Sequence, residues 1–368
     1  MTYLALQNLW QRKLQLSLSV SGVGLAIMLI LLLNGFLTGI YRQVTAYLDH
    51  MAADFVVTEE GVSNLLGARS LLASGVESRA RGVAGIAEVT PIISQFVILE
   101  IHDKKVVGYL VGYELGRGGG PWQLKAGRLP TEDDEVVVDA VMAQSHDITV
   151  GDNLEVLDRD FRVVGLSDGT NSWMASFLFV DKRAAERMLQ NPNAISFLLL
   201  RLEPGADRDA VEARLQRRLR NAEVLPTTTV KQNDINLLVR VFAGPLYLMV
   251  SIAFAVGTAI LGMIIFTATS ERLREFGVLK AVGAENRQLY RLVIQQGVAM
   301  ALLGTLVGSG LAWLAAQIIT SLTPKFLIVV EPKAISAIAF TGVFMGLVAA
   351  IAPVQRIAKL DPALVFRK

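Results

Sequence analysis

The sequence predicts a membrane α-helical fold with four transmembrane helices, one followed by three, and an α+β extracytoplasmic domain inserted after the first helix. Four runs without a charged residue support this prediction: residues 14–41, 241–270, 292–324 and 334–355. About 20 apolar residues cross a bilayer core roughly 30 Å thick, so each run is long enough. We expect helices because an isolated strand would leave backbone groups unpaired in lipid. The charged residues concentrate between the first and second runs.

The runs divide the chain into consecutive segments. They are a cytoplasmic N-terminal segment (1–13), transmembrane helix 1 (14–41), an extracytoplasmic α+β domain (42–235), transmembrane helix 2 with an outer stalk (236–270), a cytoplasmic helical segment (271–287), transmembrane helix 3 (288–324), an outer loop (325–333), transmembrane helix 4 (334–355) and a cytoplasmic tail (356–368). The apolar region of a secretory signal is only about 7–15 residues long, so the first run is interpreted as a retained anchor.

The distribution of basic residues predicts the orientation. Near the ends of the spans, 11 Lys and Arg residues lie on the side of the termini and 4 lie on the opposite side. Basic residues are enriched in short cytoplasmic segments, so both termini are expected in the cytoplasm.

The second run is longer than a bilayer requires. Residues 241–270, at about 1.5 Å per residue, would form a helix of about 45 Å. Helical residues from 236 onward would lengthen it on the outer side, which predicts a rigid stalk.

The extracytoplasmic domain alternates strand and helix patterns. We predict hairpins at 96–100 with 106–111 and at 153–157 with 161–166, further strands at 135–139, 176–180 and 194–202, and helices at 182–189 and 207–221. Apolar, β-branched runs bounded by turn residues are typical of such strands. The pattern predicts a compact α+β domain.

No motif for catalysis or phosphate binding is found. The glycine run at 116–120 lacks the Gly-Lys-Ser/Thr ending of a phosphate loop, so it is interpreted as a flexible surface loop. His50, His102 and His146 are scattered singly, and the chain has no cysteine. We therefore predict no catalytic, cofactor or metal site and no enzymatic activity in this chain. The net charge of +2, without a basic run, predicts no nucleic-acid partner.

The cytoplasmic segment between the second and third spans is amphipathic. Ser270 is a good N-cap, apolar residues at 273, 276, 278 and 279 alternate with charged ones, and Gly283 can end the helix. Two interpretations stay open: a helix lying on the lipid surface, or a helix that docks into a groove of a cytoplasmic partner.

Four segments together resemble the FtsX-like (MacB-like) permease family of ABC transporters. They are ERLREFGVLKAVGA at 271–284, AGRLP at 126–130 with EVVV at 135–138, VGDNL at 150–154 with FRVVGL at 161–166, and PVQRIAKLDPAL at 353–364. The order of the spans around an outer domain is also similar, and the layout is nearest to that of haem-exporter-type permeases. The resemblance implies the inner (plasma) membrane of a prokaryote.

The resemblance implies a permease that transmits motion from a separate cytoplasmic ABC ATPase. Two copies of the ATPase, with ATP and Mg, would pair with two copies of this chain, surrounded by membrane lipids. The residues expected to receive the motion are Glu271, Arg272, Arg274, Glu275, Phe276, Gly277, Lys280 and Gly283. The mechanism implied is mechanotransmission, without transport through a central channel.

Residues for a dimer seam or substrate contact are also predicted. Gly35 and Gly39 form a small-residue pair that permits close helix approach, as do Gly304 with Gly308 and Gly342 with Gly346; the resemblance favours the first pair. The other seam or substrate candidates are Met28, Asn34, Tyr41, Tyr247 and Met249.

The cargo is expected to be hydrophobic or amphipathic: haem, a lipid, a lipopeptide or a drug, with His50 and Met51 as further haem ligands. A periplasmic adaptor stays open. The alternative function is that of an FtsX-type regulator of an extracytoplasmic hydrolase, with Trp122 and Trp173 as a partner surface. A secondary transporter is disfavoured because no span contains a charged residue.

Overall fold

The computed structural model describes residues 13–101, 104–172 and 175–358, which form two compact units. The membrane unit comprises Met1–Gly39, Phe242–Thr323 and Ile328–Lys368, within the described residues. The sheet domain comprises Ile40–Val241 and Pro324–Leu327. His102, Trp173 and the segments 1–12 and 359–368 lie outside the described residues.

Helices form most of the membrane unit and flank the sheet. In chain order they are α1 (Lys13–His50), α2 (Val76–Arg81), α3 (Ala140–Ser145), α4 (Lys182–Met188), α5 (Arg208–Arg218), α6 (Thr227–Leu238), a π-helical segment (Val239–Ala243), α7 (Gly244–Glu271), α8 (Leu273–Ala281), α9 (Asn286–Leu322), α10 (Pro332–Ala349) and α11 (Ile351–Ala358).

Within the described part of the chain, four helical segments are long and apolar enough to cross a membrane. They are Val20–His50, Thr227–Glu271, Asn286–Leu322 and Pro332–Ala358. The predicted four-span arrangement, one followed by three around an inserted domain, is therefore confirmed. Helix α1 continues well past residue 41, where the charge-free run ends. A charged residue ends an apolar run but does not end a helix. The absence of charge therefore located the apolar run and not the end of the helix.

The sheet contains ten strands in the described residues. They are β1 (Phe55–Glu59), β2 (Ile86–Ile101), β3 (Lys104–Tyr113), β4 (Leu124–Gly127), β5 (Glu135–Asp139), β6 (Asn153–Glu155), β7 (Asp160–Ser167), β8 (Ser176–Asp181), β9 (Phe197–Leu202) and β10 (Ala222–Pro226). Their order is β10-β1-β9-β2-β3-β8-β5-β7-β4, with β6 paired to β7. The β3–β8 and β5–β7 pairs are parallel and the others are antiparallel.

Both predicted hairpins are confirmed. In the first, Phe96 pairs with Tyr109 and Ile98 with Val107. In the second, Asn153 pairs with Arg162. The predicted strand at 194–202 begins only at Phe197. The strands β1, β4 and β10 were not predicted; β1 and β10 pair across distant parts of the chain, so neither has a partner strand nearby in the sequence.

Large apolar side chains fill the sheet domain on both faces of the sheet. Phe161, Phe177 and Phe197 are each no more than 2% exposed. Burial of an aromatic side chain of this size is among the larger favourable terms in folding.

Small residues bring the helices of the membrane unit together. A Cβ on Gly304 would lie 2.6 Å from Val23, and one on Gly308 would collide with the carbonyl oxygen of Gly24. Gly297 and Gly346 face each other, with 2.9 Å from an added Cβ to the carbonyl oxygen opposite. Close backbone approach of this kind is how helices pack in lipid.

Candidate functional site

Helix α8 follows α7 after a single residue, Arg272, and lies at the end of the membrane unit's second span. The prediction that Ser270 caps α8 is wrong. The Ser270 hydroxyl donates to the Phe266 carbonyl at 2.6 Å, because Ser270 belongs to the last turn of α7. Arg272 precedes α8 and makes no side-chain capping bond.

The other end of α8 is closed as predicted. Gly283 has φ 103°, which favours glycine. Its N–H donates to the Lys280 carbonyl at 3.1 Å, and the Ala284 N–H donates to the Leu279 carbonyl at 2.9 Å. This pair of bonds is a Schellman motif, which satisfies carbonyls that the last turn leaves unpaired.

One face of α8 is buried in the membrane unit. Phe276 is 7% exposed and belongs to the same apolar cluster as Leu289 and Ile357. Gly277 beside it is also buried. The Lys280 ammonium donates to the Ile357 carbonyl at 3.1 Å, which ties α8 to helix α11. Any displacement of α8 therefore acts directly on the core of this unit.

The opposite face of α8 is exposed and apolar. Val278 is 42% exposed, Leu279 46% and Val282 83%. Arg274 and Glu275 are exposed on the same short helix. We call Val278, Leu279 and Val282 the exposed row. An apolar row with charged neighbours on a short helix suits docking into a groove.

The predicted coupling residues divide between these faces. Glu271, Arg274, Glu275 and Gly283 are exposed, Arg272 and Lys280 are half-buried, and Phe276 and Gly277 are buried. Val278, Leu279 and Val282 were missing from the predicted set. The sequence pattern that could have identified them is three apolar residues at positions i, i+1 and i+4, which share one side of a helix. Phe276 is apolar too, so the sequence alone does not tell which side is buried.

The candidate seam residues also differ in exposure. Gly35 and Gly39 are buried. The carbonyl of Gly35 accepts a 3.0 Å hydrogen bond from the Val329 N–H, so this chain's own loop occupies that face of α1. The remaining candidates are less enclosed: Asn34 is exposed, Met28 and Tyr41 are half-buried, Tyr247 is 61% exposed and Met249 is 47% exposed.

The motif residues of the sheet domain act structurally. Glu135 accepts from the Arg128 guanidinium and from the Thr131 N–H at 2.8 Å. The guanidinium, more than the backbone donors, lowers the pKa of Glu135 to about 2. Gly127 has φ 78°, and a Cβ there would collide with the Val164 carbonyl oxygen. These residues therefore join β4 and β5 to β7.

The interpretation of residues 116–120 as a surface loop is confirmed for 116–118, which are exposed, and is wrong for Gly119. Gly119 is buried, and its carbonyl accepts a 2.8 Å hydrogen bond from the Tyr47 hydroxyl. Trp122, just beyond, stacks on His50 with ring centroids 4.5 Å apart. The segment is thus packed against both the sheet and the end of α1. In the described residues no three His, Asp or Glu side chains are placed to hold a metal ion.

Two family models cover most of the chain. Residues 16–218 match the MacB-like periplasmic core domain, and residues 247–362 match the FtsX-like permease C-terminal domain. The first match alone spans more than half of the 368 residues.

Known proteins similar to this chain include ABC transporter permeases. One uncharacterized ABC transporter permease of Mycobacterium tuberculosis is 24% identical over 368 residues, covering 100% of this chain and 99% of the relative. A second, from the same organism, is 26% identical over 372 residues with the same coverage. The macrolide export ATP-binding/permease protein MacB of Shewanella oneidensis is 22% identical over 401 residues, covering 98% of this chain and 59% of that protein. Among solved structures, the periplasmic region of MacB from Actinobacillus actinomycetemcomitans aligns with a TM-score of 0.39 and 18% identity, covering 52% of this chain and 97% of that one.

Proposed function

Since the chain belongs to the MacB-like and FtsX-like family and is a permease of the ABC transporter type, we propose that it transmits the work of a separate ATPase by mechanotransmission. The cargo would be a hydrophobic or amphipathic molecule that is exported or extracted from the membrane. The two-faced helix α8 is the observation that supports this proposal: it is anchored inside the membrane unit by Phe276 and presents Val278, Leu279 and Val282 outward.

In this proposal the exposed row docks into a groove of a cytoplasmic ATPase, two copies of which serve two copies of this chain. ATP and Mg are bound by the ATPase. The basic residues near the span ends, 11 against 4, support both termini in the cytoplasm. The family supports the inner membrane of a prokaryote. The division of roles on α8 follows from burial: the exposed row binds the partner, and Phe276 and Gly277 pass the movement to the spans.

A double substitution, Leu279→Asp with Val282→Asp, tests this assignment. Both side chains are exposed, so the chain should fold and insert normally while losing the apolar contact. We expect co-purification with the ATPase and coupled ATP hydrolysis to fall about tenfold or more, as for the central residues of an interface. Val150→Asp in the sheet domain is the control, since Val150 is 45% exposed and so close to Leu279 at 46%. Wild-type hydrolysis by the double variant would refute docking through this row.

Phe276→Asp should behave differently from the double substitution. Because Phe276 is buried, a carboxylate there would lower the yield of folded chain and not only its coupling. A folded Phe276→Asp protein that merely fails to bind the ATPase would place Phe276 in the contact itself.

The cargo class is proposed from the membrane setting and stays broad: haem, lipids, lipopeptides or hydrophobic drugs. Haem would draw on Met28, Tyr41, His50, Met51, Tyr247 or Met249, of which His50, Tyr247 and Met249 are exposed. The test is ATP hydrolysis by the chain and its ATPase in lipid with each compound in turn. Stimulation by one class would identify the cargo.

A regulator of an extracytoplasmic hydrolase is the second candidate. One observation favours it: the β2–β3 hairpin exposes Phe96 (37%), Ile98 (63%) and Val107 (48%) on a single face. Exposed apolar patches on soluble domains often mark protein contacts. Hydrolysis that ignores every compound, together with loss of partner activation by Ile98→Asp, would favour regulation over transport.

A further inference from the structure

The sheet domain contains a cavity of about 410 Å³ between the sheet and residues 118–122. Its floor comes from one face of three adjacent strands, where Glu88 pairs with Arg201 and Thr90 pairs with Leu199 across β2 and β9. Tyr113 of β3 completes the floor. His50 and Met51, at and just after the end of α1, close one side. A cavity of this size holds a small organic molecule.

The roof of the cavity requires glycine. A Cβ on Gly119 would lie 2.9 Å from Ile92, and one on Gly120 would lie 2.5 Å from the Tyr113 ring. Gly119 also has φ 99°, which side chains other than glycine rarely adopt. These glycines therefore let the backbone approach the sheet closely, and the Tyr47 hydroxyl holds the segment there through the Gly119 carbonyl.

The roof leaves backbone donors available. No described group accepts a hydrogen bond from the N–H of Gly118, Gly119 or Gly120. All three glycines line the cavity. Successive backbone N–H groups without partners in a glycine loop form concave sites that favour anions.

The side chains of the cavity add positive charge. Arg117 and Arg201 line it, and Glu88 is the one carboxylate among its lining residues. Glu88 is already paired with Arg201 at 2.5 Å. Arg117 is paired with Glu114, whose carboxylate is not part of the lining, so the described lining itself contains two guanidinium groups and one carboxylate. Guanidinium groups bind carboxylates and phosphates through paired hydrogen bonds.

The remaining lining is apolar and aromatic. Trp122 stacks on His50 and contacts the cavity together with Leu129, Leu199 and Met51. An indole and an imidazole in parallel form a flat wall suited to an apolar or aromatic body. Charge at one part of the cavity and apolar surface at another together select an amphipathic ligand.

We propose that this cavity binds a small amphipathic anion, with a carboxylate or phosphate at the glycine amides and Arg117 and an apolar body against Trp122 and Leu199. This site lies wholly within the sheet domain. It goes beyond the proposed function and does not depend on coupling through α8, so each can fail without the other.

The test is isothermal titration calorimetry on the full chain in lipid nanodiscs, with empty nanodiscs as the blank. The probes are 3-phenylpropionate, phenyl phosphate, inorganic phosphate and the neutral 3-phenylpropanol. We expect saturable binding of at least one aromatic anion, about tenfold or more tighter than the neutral alcohol, because charge-assisted hydrogen bonds are lost with the alcohol. The two aromatic anions distinguish carboxylate from phosphate. Inorganic phosphate should bind more weakly than phenyl phosphate, since it lacks the body that contacts Trp122.

Arg117→Gln should weaken anion binding about tenfold. Arg187→Gln is the matched control, because Arg187 is a half-exposed arginine of the same domain, paired with Asp133 and outside the cavity lining. Equal thermal unfolding of the two variants would exclude a folding defect. The proposal is overturned if no aromatic anion binds saturably, if the alcohol binds as tightly, or if Arg187→Gln weakens binding as much as Arg117→Gln. The anion-over-alcohol preference of the unmutated chain is a sufficient test if Arg117→Gln does not fold.

Discussion

The sheet domain packs around buried aromatic rings, whereas the helices of the membrane unit approach each other closely at glycines. In the sheet domain the buried centre is rich in phenylalanine and tyrosine, and Phe177 lies 5.2 Å from Tyr109 and 5.6 Å from Tyr47 between ring centroids. In the membrane unit, close contacts between helices are made at Gly24, Gly304 and Gly308. One chain therefore uses two different ways of packing its interior.

The difference follows from the solvent of each unit. In water, transfer of apolar surface from solvent drives folding, so large side chains stabilise most. Lipid chains are as apolar as leucine, so burial between helices gains little and close backbone contact becomes the main source of attraction. The membrane unit leaves some of its largest apolar side chains exposed, as Phe340 is at 79%, while others such as Leu31 and Leu261 are buried in its core.

Phe177→Ala should have the largest effect. Phe177 is 2% exposed, and loss of a buried phenylalanine costs about 3–5 kcal/mol. We expect the sheet domain to be less stable. Hydrogen exchange of peptides from β8 should therefore be faster than in the unmutated chain. Phe340→Ala in the membrane unit is the control and should change the unfolding free energy by less than about 0.5 kcal/mol. Equal effects of the two would remove the contrast between the units.

Gly308→Ala should have an intermediate effect, because the added Cβ would collide with the Gly24 carbonyl and force α1 and α9 apart. Overpacking of this kind costs about 1–3 kcal/mol. The measurement is unfolding of the chain in lipid with spectroscopic detection. Gly310→Ala, two residues further along the same helix and with no atom within 4 Å of the added Cβ, should unfold as the unmutated chain does. If Gly310→Ala were as harmful, close packing at Gly308 would not be the cause.

Glu135→Gln should have the smallest effect and should depend on pH. Its pKa is lowered from 4.5 to about 2 in the folded chain, so the ionised form is favoured by folding. The stability that Glu135 contributes is therefore complete above pH 4.5 and is lost as pH falls toward 2. At pH 6 the substitution should cost about 1 kcal/mol.

The readout is the difference in thermal unfolding between Glu135→Gln and the unmutated chain at pH 6, 4 and 3. That difference should shrink as pH falls. The exposed Glu155→Gln is the control, for which no such trend is expected. A constant difference across this range would mean that Glu135 acts through packing and not through its charge.

The spans were predictable because the requirement for crossing a membrane is local: a continuous apolar run is sufficient. Hairpins such as β2–β3 were predictable for a similar reason, since their strands are neighbours in the sequence. Strand β10 was not, because its partner β1 lies far away, with Glu59 opposite Ala222.

The sites were less predictable than the fold. The amphipathic segment at α8 was found from its residue pattern, but the burial of Phe276 and the exposure of Val282 depend on where α11 and α9 lie. The cavity under residues 118–122 was missed entirely. Glu88, Tyr113 and Arg201 belong to three strands, and only the folded sheet brings them to one face beneath the glycine segment.

The two glycines that cover this cavity, Gly119 and Gly120, have a consequence for comparing sequences of related permeases. A single base change at codon 119 or 120 introduces a side chain that would push the segment away from Ile92 or Tyr113. We therefore expect one mutational step at either glycine to be enough to lose the cavity. Among related permeases, glycine at both positions should indicate that the cavity is present, and another residue should indicate that it is absent. Sequence comparison alone would separate the two groups.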